Sequence, residues 1–395
     1  MNLPKLLSFE SGRIVFFETL TKHPENWQQN PTPLCIVRKM LDKTSLEDKK
    51  ILVLFNIEFL QVLVEERKIN PENIYYIADN ELEYLSAIKI FKVQSYKLSD
   101  FSVPALKKLI AGIDMKFDVV FSNPPYNGNI DIKILNEIID IADEFVVVHP
   151  STWVIDIKGK LKLYKDFKTK IASKLKDVEF FNGNAIFDIQ LFVPICITHI
   201  QKNSSEIDVK YFDDLYVSKS IDNITKFGSS FETLILPFMN MMQTHINIHS
   251  QMIDYNLLDK LDENSKYVQL AQIRGTPNRN KTSSKMLLDD FYTLVMKNSG
   301  ENIGIRKTSR TPTFRFENEI ECLNFVNYLK TDFVRFCLAI YKDKATLDCG
   351  EMELIPWLDF TEEWDDEKLF AKFDVSQELQ DYIRDFLPDF HGIRK

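Results

Sequence analysis

The sequence predicts an α/β fold with a mostly parallel sheet, followed by a second domain of mixed structure. Three observations carry this. From Lys50 to Val148, β-rich apolar runs alternate with stretches of helical apolar spacing, the pattern of strand–helix units that place helices on both faces of a parallel sheet. Near Phe231 the alternation is lost, which sets expected domains at 1–230 and 231–395. Glycine is scarce, 11 in 395 residues with none between Gly12 and Gly112, against about 7% in an average protein. Any nucleotide-type loop in the first hundred residues must therefore turn without it.

The elements follow in order. Pro31-Thr32-Pro33 precedes Leu34, Ile36, Val37, Met40 and Leu41, a proline-led helix start. Lys50–Phe55 is an apolar run suited to a strand buried on both faces. Ile57–Lys68 is helical, Asn73–Ala78 a strand, Glu81–Phe91 a helix and Val93–Tyr96 a short strand. Val103–Ala111 is a helix, Phe117–Phe121 a strand, Ile130–Ala142 a helix and Glu144–Val148 a strand. After a helix over 160–175 the pattern becomes antiparallel, with strands expected at Val178–Phe181, Ala185–Phe187 and Leu191–Ile200. Lys210–Ser230 fits neither period.

Composition narrows the function classes. No apolar run reaches a membrane span, and the first residues lack a leader pattern, so a soluble, cytoplasmic protein is expected. Five scattered cysteines contain no C-x-x-C, which gives neither a disulfide framework nor a zinc knuckle. His245 and His249 stand four apart, a spacing that binds metal on a helix only with further ligands; none is near, and no metal is expected. The net charge is −9 but uneven. Lys266–Arg315 carries ten basic and three acidic residues, whereas Glu317–Lys395 carries 19 acidic and nine basic. The basic segment offers a phosphate-binding surface within an acidic protein, or simply a solvated face.

The sharpest motif is Phe117-Asp-Val-Val-Phe-Ser-Asn-Pro-Pro-Tyr126. A strand runs into a loop stiffened by two prolines, at the carboxyl end where open α/β sheets bind ligands. The Asn123 side-chain carbonyl and the Pro124 backbone carbonyl form a pair of acceptors for an exocyclic amine, and Tyr126 offers a flat face to a planar base. This loop resembles the catalytic motif of the S-adenosylmethionine-dependent DNA adenine-N6 methyltransferases, and protein-glutamine and RNA adenine methyltransferases share the tetrapeptide. The resemblance covers roughly residues 27–200. It implies a Rossmann-like methyltransferase catalytic domain in 1–230 and a target-recognition domain in 231–395.

Further residues take family roles by resemblance. Pro31, Thr32 and Pro33 look like the N-terminal cofactor-contacting motif, in the order of the γ group. Asp79, with Asn80, ends the second strand where an acidic group meets the cofactor ribose; a helix cap is the plainer reading. Asp100 and Phe101 match the adenine-contacting motif, Asp100 again having a cap as its alternative. Phe181 and Phe187 fall where an aromatic flanks a flipped base, or are simply core. His149 and Trp153 lie in the next strand and its loop, while Trp357 and Trp364 are expected as core anchors. The family's Gly-x-Gly is replaced by Phe55-Asn56-Ile57-Glu58. Asn56 tolerates left-handed backbone, Glu58 is placed to hold the cofactor ammonium, and Phe55 and Ile57 add bulk. Catalysis is expected from Asn123, Pro124, Pro125 and Tyr126, with S-adenosyl-L-methionine as cofactor and double-stranded DNA as partner. DNA phosphates are expected on Arg274, Arg279, Lys281, Arg306, Lys307 and Arg310. Two alternatives stand beside this: a catalytically degenerate methyltransferase fold binding nucleic acid or a partner subunit, and an RNA adenine methyltransferase.

Overall fold

A computed structural model describes residues 31–159, 161–187, 194–202, 204–253, 312–341 and 349–387, together with the backbone of four short strands elsewhere. Two compact units emerge, Met1–Val154 with Gly159–Ile189 and Pro194–Ile224, and Ile155–Lys158 with Gln190–Val193 and Thr225–Lys395.

In the first unit, strands β1 (Leu7–Glu10) and β2 (Arg13–Val15) form a small antiparallel pair. Helix α1 (Leu34–Leu41) begins at Pro33, whose carbonyl accepts from the N–H groups of Ile36 and Val37 at 2.8 and 3.1 Å. Then come β3 (Ile51–Leu54), α2 (Glu58–Leu60), β4 (Ile74–Ala78), α3 (Glu81–Ser86), β5 (Gln94–Lys97), α4 (Val103–Ala111), β6 (Phe117–Ser122), α5 (Ile130–Ile138) and β7 (Ala142–Pro150). Both α2 and α3 widen into π-helical turns, Gln61–Glu66 and Ala87–Phe91. The short α6 (Thr152–Ile155), α7 (Lys162–Ile171), β8 (Leu175–Phe181), α8 (Gly183–Phe187), β9 (Ile195–Gln201), β10 (Ile207–Tyr211) and β11 (Asp214–Ser218) follow.

Nine strands form one sheet in the order β11-β10-β8-β9-β7-β6-β3-β4-β5. The run β7-β6-β3-β4-β5 is parallel, and β9 is antiparallel to both of its neighbours. Numbered from β3, this is the doubly wound order with a reversed strand inserted near one end. All nine residues of β3 and β4 are buried, as helix-covered parallel strands require. The chain leaves β3 toward β4 on one side and returns to β6 on the other. The strand order thus reverses between β3 and β6, and the carboxyl ends at such a reversal are the usual ligand position in these sheets.

Three expectations are corrected. Ala185–Phe187 lies in α8 and is not a strand, the helix starting at Gly183 two residues after β8 ends. The helix from Ile130 stops at Ile138, and β7 starts at Ala142; Ile139 and Ala142 are apolar enough to continue a helical pattern, but Ala142 is held in register opposite Phe117. Lys210–Ser230, which fits neither period, contains the end of β10 and all of β11, paired by Tyr211↔Asp214 across a tight turn with Phe212 at φ 55°. Its alternation is half hidden because Leu215 and Val217 are apolar on the exposed face.

The second unit holds α9 (Leu236–Met242), a three-stranded sheet of β12 (Lys266–Ala271), β13 (Thr293–Asn298) and β14 (Thr313–Phe316), and helices α10 (Glu319–Tyr328), α11 (Asp332–Tyr341), α12 (Asp366–Lys372) and α13 (Gln377–Phe386). Its core is strongly aromatic. Trp357 packs on Phe314, Phe316, Phe325 and Phe360, and Trp364 is buried in the same cluster. His245 ends up edge-on to Phe373 rather than on one helix with His249, which lies in a separate short turn. Among the described residues no group of three or more His, Cys, Asp or Glu could hold a metal, and no helix is long and apolar enough to cross a membrane.

Candidate functional site

Parallel registry brings the candidate residues to one edge. Leu54 pairs with Ile77 on one side and Ser122 on the other, so the turns beginning at Phe55, Asp79 and Asn123 emerge side by side. Phe55 and Asn56 both have left-handed backbone, at φ 62° and 59°. That conformation costs a non-glycine residue about 1–2 kcal/mol, and asparagine tolerates it best. The turn thus takes a glycine-like path without glycine. Phe55 and Ile57 are buried, at 0% and 2% exposure.

Beyond the turn lies a cluster of carboxyl groups. The Glu58 carboxyl is raised to about 7 by burial, opposed by hydrogen bonds from its own N–H and from the Thr32 N–H; Asp79 adds repulsion. Its Oε2 is enclosed and has no hydrogen-bond partner. Asp79 is buried and accepts from Asn80 Nδ2 at 2.8 Å. Asn80 also caps α3, its Oδ1 accepting from the Glu83 N–H at 2.9 Å. The capping role offered as the plainer reading of Asp79 therefore falls to its neighbour. Glu83, which the sequence did not single out, is raised by burial and by repulsion from Asp79 and Glu58, while Tyr76 hydroxyl and Asn80 donate to it. Neither Glu58 nor Glu83 forms an ion pair among the described residues. A helical pattern gives no sign that Glu83 turns inward; only the Asn80 cap geometry reveals it.

Asp100 is exposed after β5. It accepts from Ser102 Oγ at 3.0 Å, and Ser102 is the residue that caps α4. Phe101 beside it is half-buried.

The Asn-Pro-Pro-Tyr loop is enclosed from Asn123 to Pro125. Asn123 Nδ2 donates to Thr32 Oγ1 at 3.0 Å, and Tyr126 hydroxyl donates to Asn123 Oδ1 at 2.6 Å. Tyr126 is therefore not simply a flat face: its hydroxyl is turned onto the amide, 3.5 Å from the Val148 carbonyl oxygen. Burial pushes its phenol well up. Gly128 and Asn129, at φ 65° and 59°, then turn the chain into α5, and Tyr164 hydroxyl holds Asn129 Oδ1 at 2.9 Å. Behind the loop, His149 is fully buried. It lies 3.3 Å from Asp131 at the start of α5 and 2.9 Å from Thr198 on β9, and it stacks on Trp153. Phe187 is buried and Phe181 half-buried. Arg274, Arg279, Lys281, Arg306, Lys307 and Arg310 lie outside the described residues.

No family model matches the sequence, and no curated protein matches it. Solved structures do. The chain is similar to the type IIG restriction endonuclease BpuSI, at 11% identity over 90% of this chain and 61% of that one, with a TM-score of 0.39. It is similar to a component of a type I R-M system, at 13% identity over 45% of this chain and 44% of that one, with a TM-score of 0.34. A methyltransferase from Pyrococcus furiosus matches at 15% identity over 43% of this chain and 83% of its own, with a TM-score of 0.31. The match thus spans less than half of the type I component and under two thirds of BpuSI.

Proposed function

We propose that this chain is an S-adenosylmethionine-dependent methyltransferase acting on the N6 amine of adenine in double-stranded DNA. The observation that carries the reading is the Asn123 amide, held at the carboxyl end of β6 by Thr32 and Tyr126, one strand from the Glu58 carboxylate and two from Asp79.

The residues fit the cofactor. The enclosed, unpartnered Glu58 Oε2 suits an ammonium group, and Asp79 at the end of β4 suits ribose hydroxyls. Asp100 and Phe101 stand at the end of β5 for the adenine. When bound, the cofactor supplies an electrophilic methyl group on a sulfonium. Asn123 Oδ1 and the Pro124 carbonyl would accept the two amine hydrogens of the target and draw its lone pair out of the ring. The new N–C bond forms as the C–S bond breaks, and one amine proton leaves to solvent. Positioning supplies most of the rate in such a single displacement. A paired adenine must first be flipped out, with the Tyr126 ring as its stacking surface. Residues 231–395, with the basic Arg274–Arg310 stretch, are assigned to target recognition through phosphate contacts.

The test is mass spectrometry of nucleosides after incubating DNA with the protein and methyl-labelled cofactor. Labelled N6-methyladenine that disappears in Asn123→Ala supports the reading; label found only in RNA moves the substrate class, and label retained by Asn123→Ala overturns the site. The glycine-free turn favours one second reading, a methyltransferase-fold subunit that binds nucleic acid without turnover. Calorimetry showing no heat with S-adenosylmethionine would select it.

A further inference from the structure

We propose that Thr32 is a positioning residue for Asn123, anchoring the amide that receives the target amine. The inference rests on the proposed function and deepens it: resemblance gives Thr32 a cofactor contact, whereas its geometry directs its hydroxyl elsewhere.

The segment is rigid for reasons visible in the sequence. Pro31 fixes its own φ, and Pro33 confines Thr32 to extended backbone. Pro33 then starts α1. Thr32 is 1% exposed, although Pro31 before it is exposed. Both ends of this buried residue are used. Its Oγ1 accepts from Asn123 Nδ2 at 3.0 Å, and its backbone N–H is among the groups that pull the Glu58 carboxyl down against burial. The residues lie 26 and 91 positions from Thr32 in the chain, so only the fold brings them together.

The chemical need is specific. A primary amide presents an oxygen or an NH2 group after a half-turn about its last torsion, and the two ends have nearly the same shape. Only the oxygen can accept an amine hydrogen. The Thr32 hydroxyl, carried on rigid backbone, anchors Nδ2 with Oδ1 on the side of the Tyr126 hydroxyl, and its loss would take that acceptor from a buried N–H. Tyr126 hydroxyl reinforces the same sense by donating to Oδ1. Of the two, only Thr32 holds the end of the amide that turns away from the target, so its hold persists when the amine replaces the Tyr126 hydroxyl.

Two substitutions test this. Thr32→Val keeps shape and burial but removes the acceptor; Thr32→Ser keeps it. The expected result is a kcat about 10- to 100-fold lower in Thr32→Val, the scale of a misplaced catalytic group. Its cofactor Kd should stay within about threefold of wild type, and Thr32→Ser should recover most of kcat. An independent readout is the Asn123 side-chain amide by NMR. Its Nδ2 protons should exchange slowly with solvent in wild type and Thr32→Ser and faster in Thr32→Val. Unchanged kcat with unchanged amide exchange in Thr32→Val overturns the inference. So does a loss confined to cofactor affinity with normal turnover at saturation. If wild type methylates nothing, the proposed function fails, and the NMR comparison still decides whether Thr32 orients Asn123.

Discussion

Two groups of carboxylates in the same unit meet opposite fates. At the carboxyl ends of β3 and β4, Glu58 and Glu83 crowd Asp79, and burial with mutual repulsion raises both glutamates. On β7 and β8, Glu144, Asp177 and Glu179 are threaded among cations. Burial works against ionisation there too, but it is outweighed. His199 and Lys49 hold Glu144 down to about 2, His199 and Lys43 lower Asp177, and Lys39 and Lys210 lower Glu179. The distances are those of close ion pairs, 2.6 Å for Lys39–Glu179 and 2.8 Å for Lys49–Glu144. His199, fully buried between Asp177 and Glu144, is raised in turn despite its burial. The paired set is scaffold, tying α1 and the loop before β3 to the sheet. Glu58 and Glu83 have no ion-pair partner among the described residues, the arrangement expected where a ligand cation repays the cost of burial.

The difference can be broken from either side. The largest effect is expected from Glu144→Ala, which removes the carboxylate shared by Lys49 and the buried His199 and should cost roughly 2–4 kcal/mol, read by chemical denaturation at pH 7. A loss under about 0.5 kcal/mol would mean that the pairs are ornamental surface bridges. Next, Glu58→Gln should stabilise the free protein by roughly 1–3 kcal/mol at pH 8 and by almost nothing near pH 4. The sign follows from a folded pKa of about 7 against an ordinary 4.5. The folded state keeps a proton that the unfolded chain has released, so stability declines as pH rises from 4.5 through 7. The paired set behaves oppositely. Glu144 gives its full stabilisation above pH 4.5 and loses it as pH falls toward 2. His199 gives its share below pH 6.5 and loses it as pH rises through its raised value. Denaturation midpoints across pH 3–9 for wild type, Glu58→Gln and Glu144→Ala separate these slopes. The smallest effect is expected at the glycine-free turn. Asn56→Gly should be neutral or stabilising by up to about 1 kcal/mol, and Asn56→Ala destabilising by a similar amount.

Much of the fold was legible in the sequence because the central strands are buried on both faces. Ile51–Leu54 and Ile74–Ala78 are continuous apolar runs, and the proline before α1 and the helix over Val103–Ala111 stand where residue type placed them. Legibility fell toward β8–β11. There Leu215 and Val217 are apolar yet exposed, and Lys, Asp and Glu pairs fill positions that periodicity reads as solvent. At the site, the Asn123 loop announced itself through its prolines. The bond from Asn123 to Thr32 did not, although Thr32 stood in the Pro-Thr-Pro motif, and Glu83 was missed altogether, because each contact comes from residues apart in the chain. The scarcity of glycine pointed to this turn, where Phe55 and Asn56 themselves adopt left-handed backbone.

The most direct measurement is calorimetric titration of the whole chain with S-adenosylmethionine at pH 7 in two buffers of different ionisation heat. A ligand cation entering beside Glu58 should drive a proton from its carboxyl. Binding heats are then expected to differ between buffers for wild type, and the difference should shrink in Glu58→Gln along with about tenfold or greater loss of affinity. Buffer-independent heats in wild type, or equal affinity in Glu58→Gln, would contradict the assignment of the Glu58 carboxyl as the cofactor's cationic site.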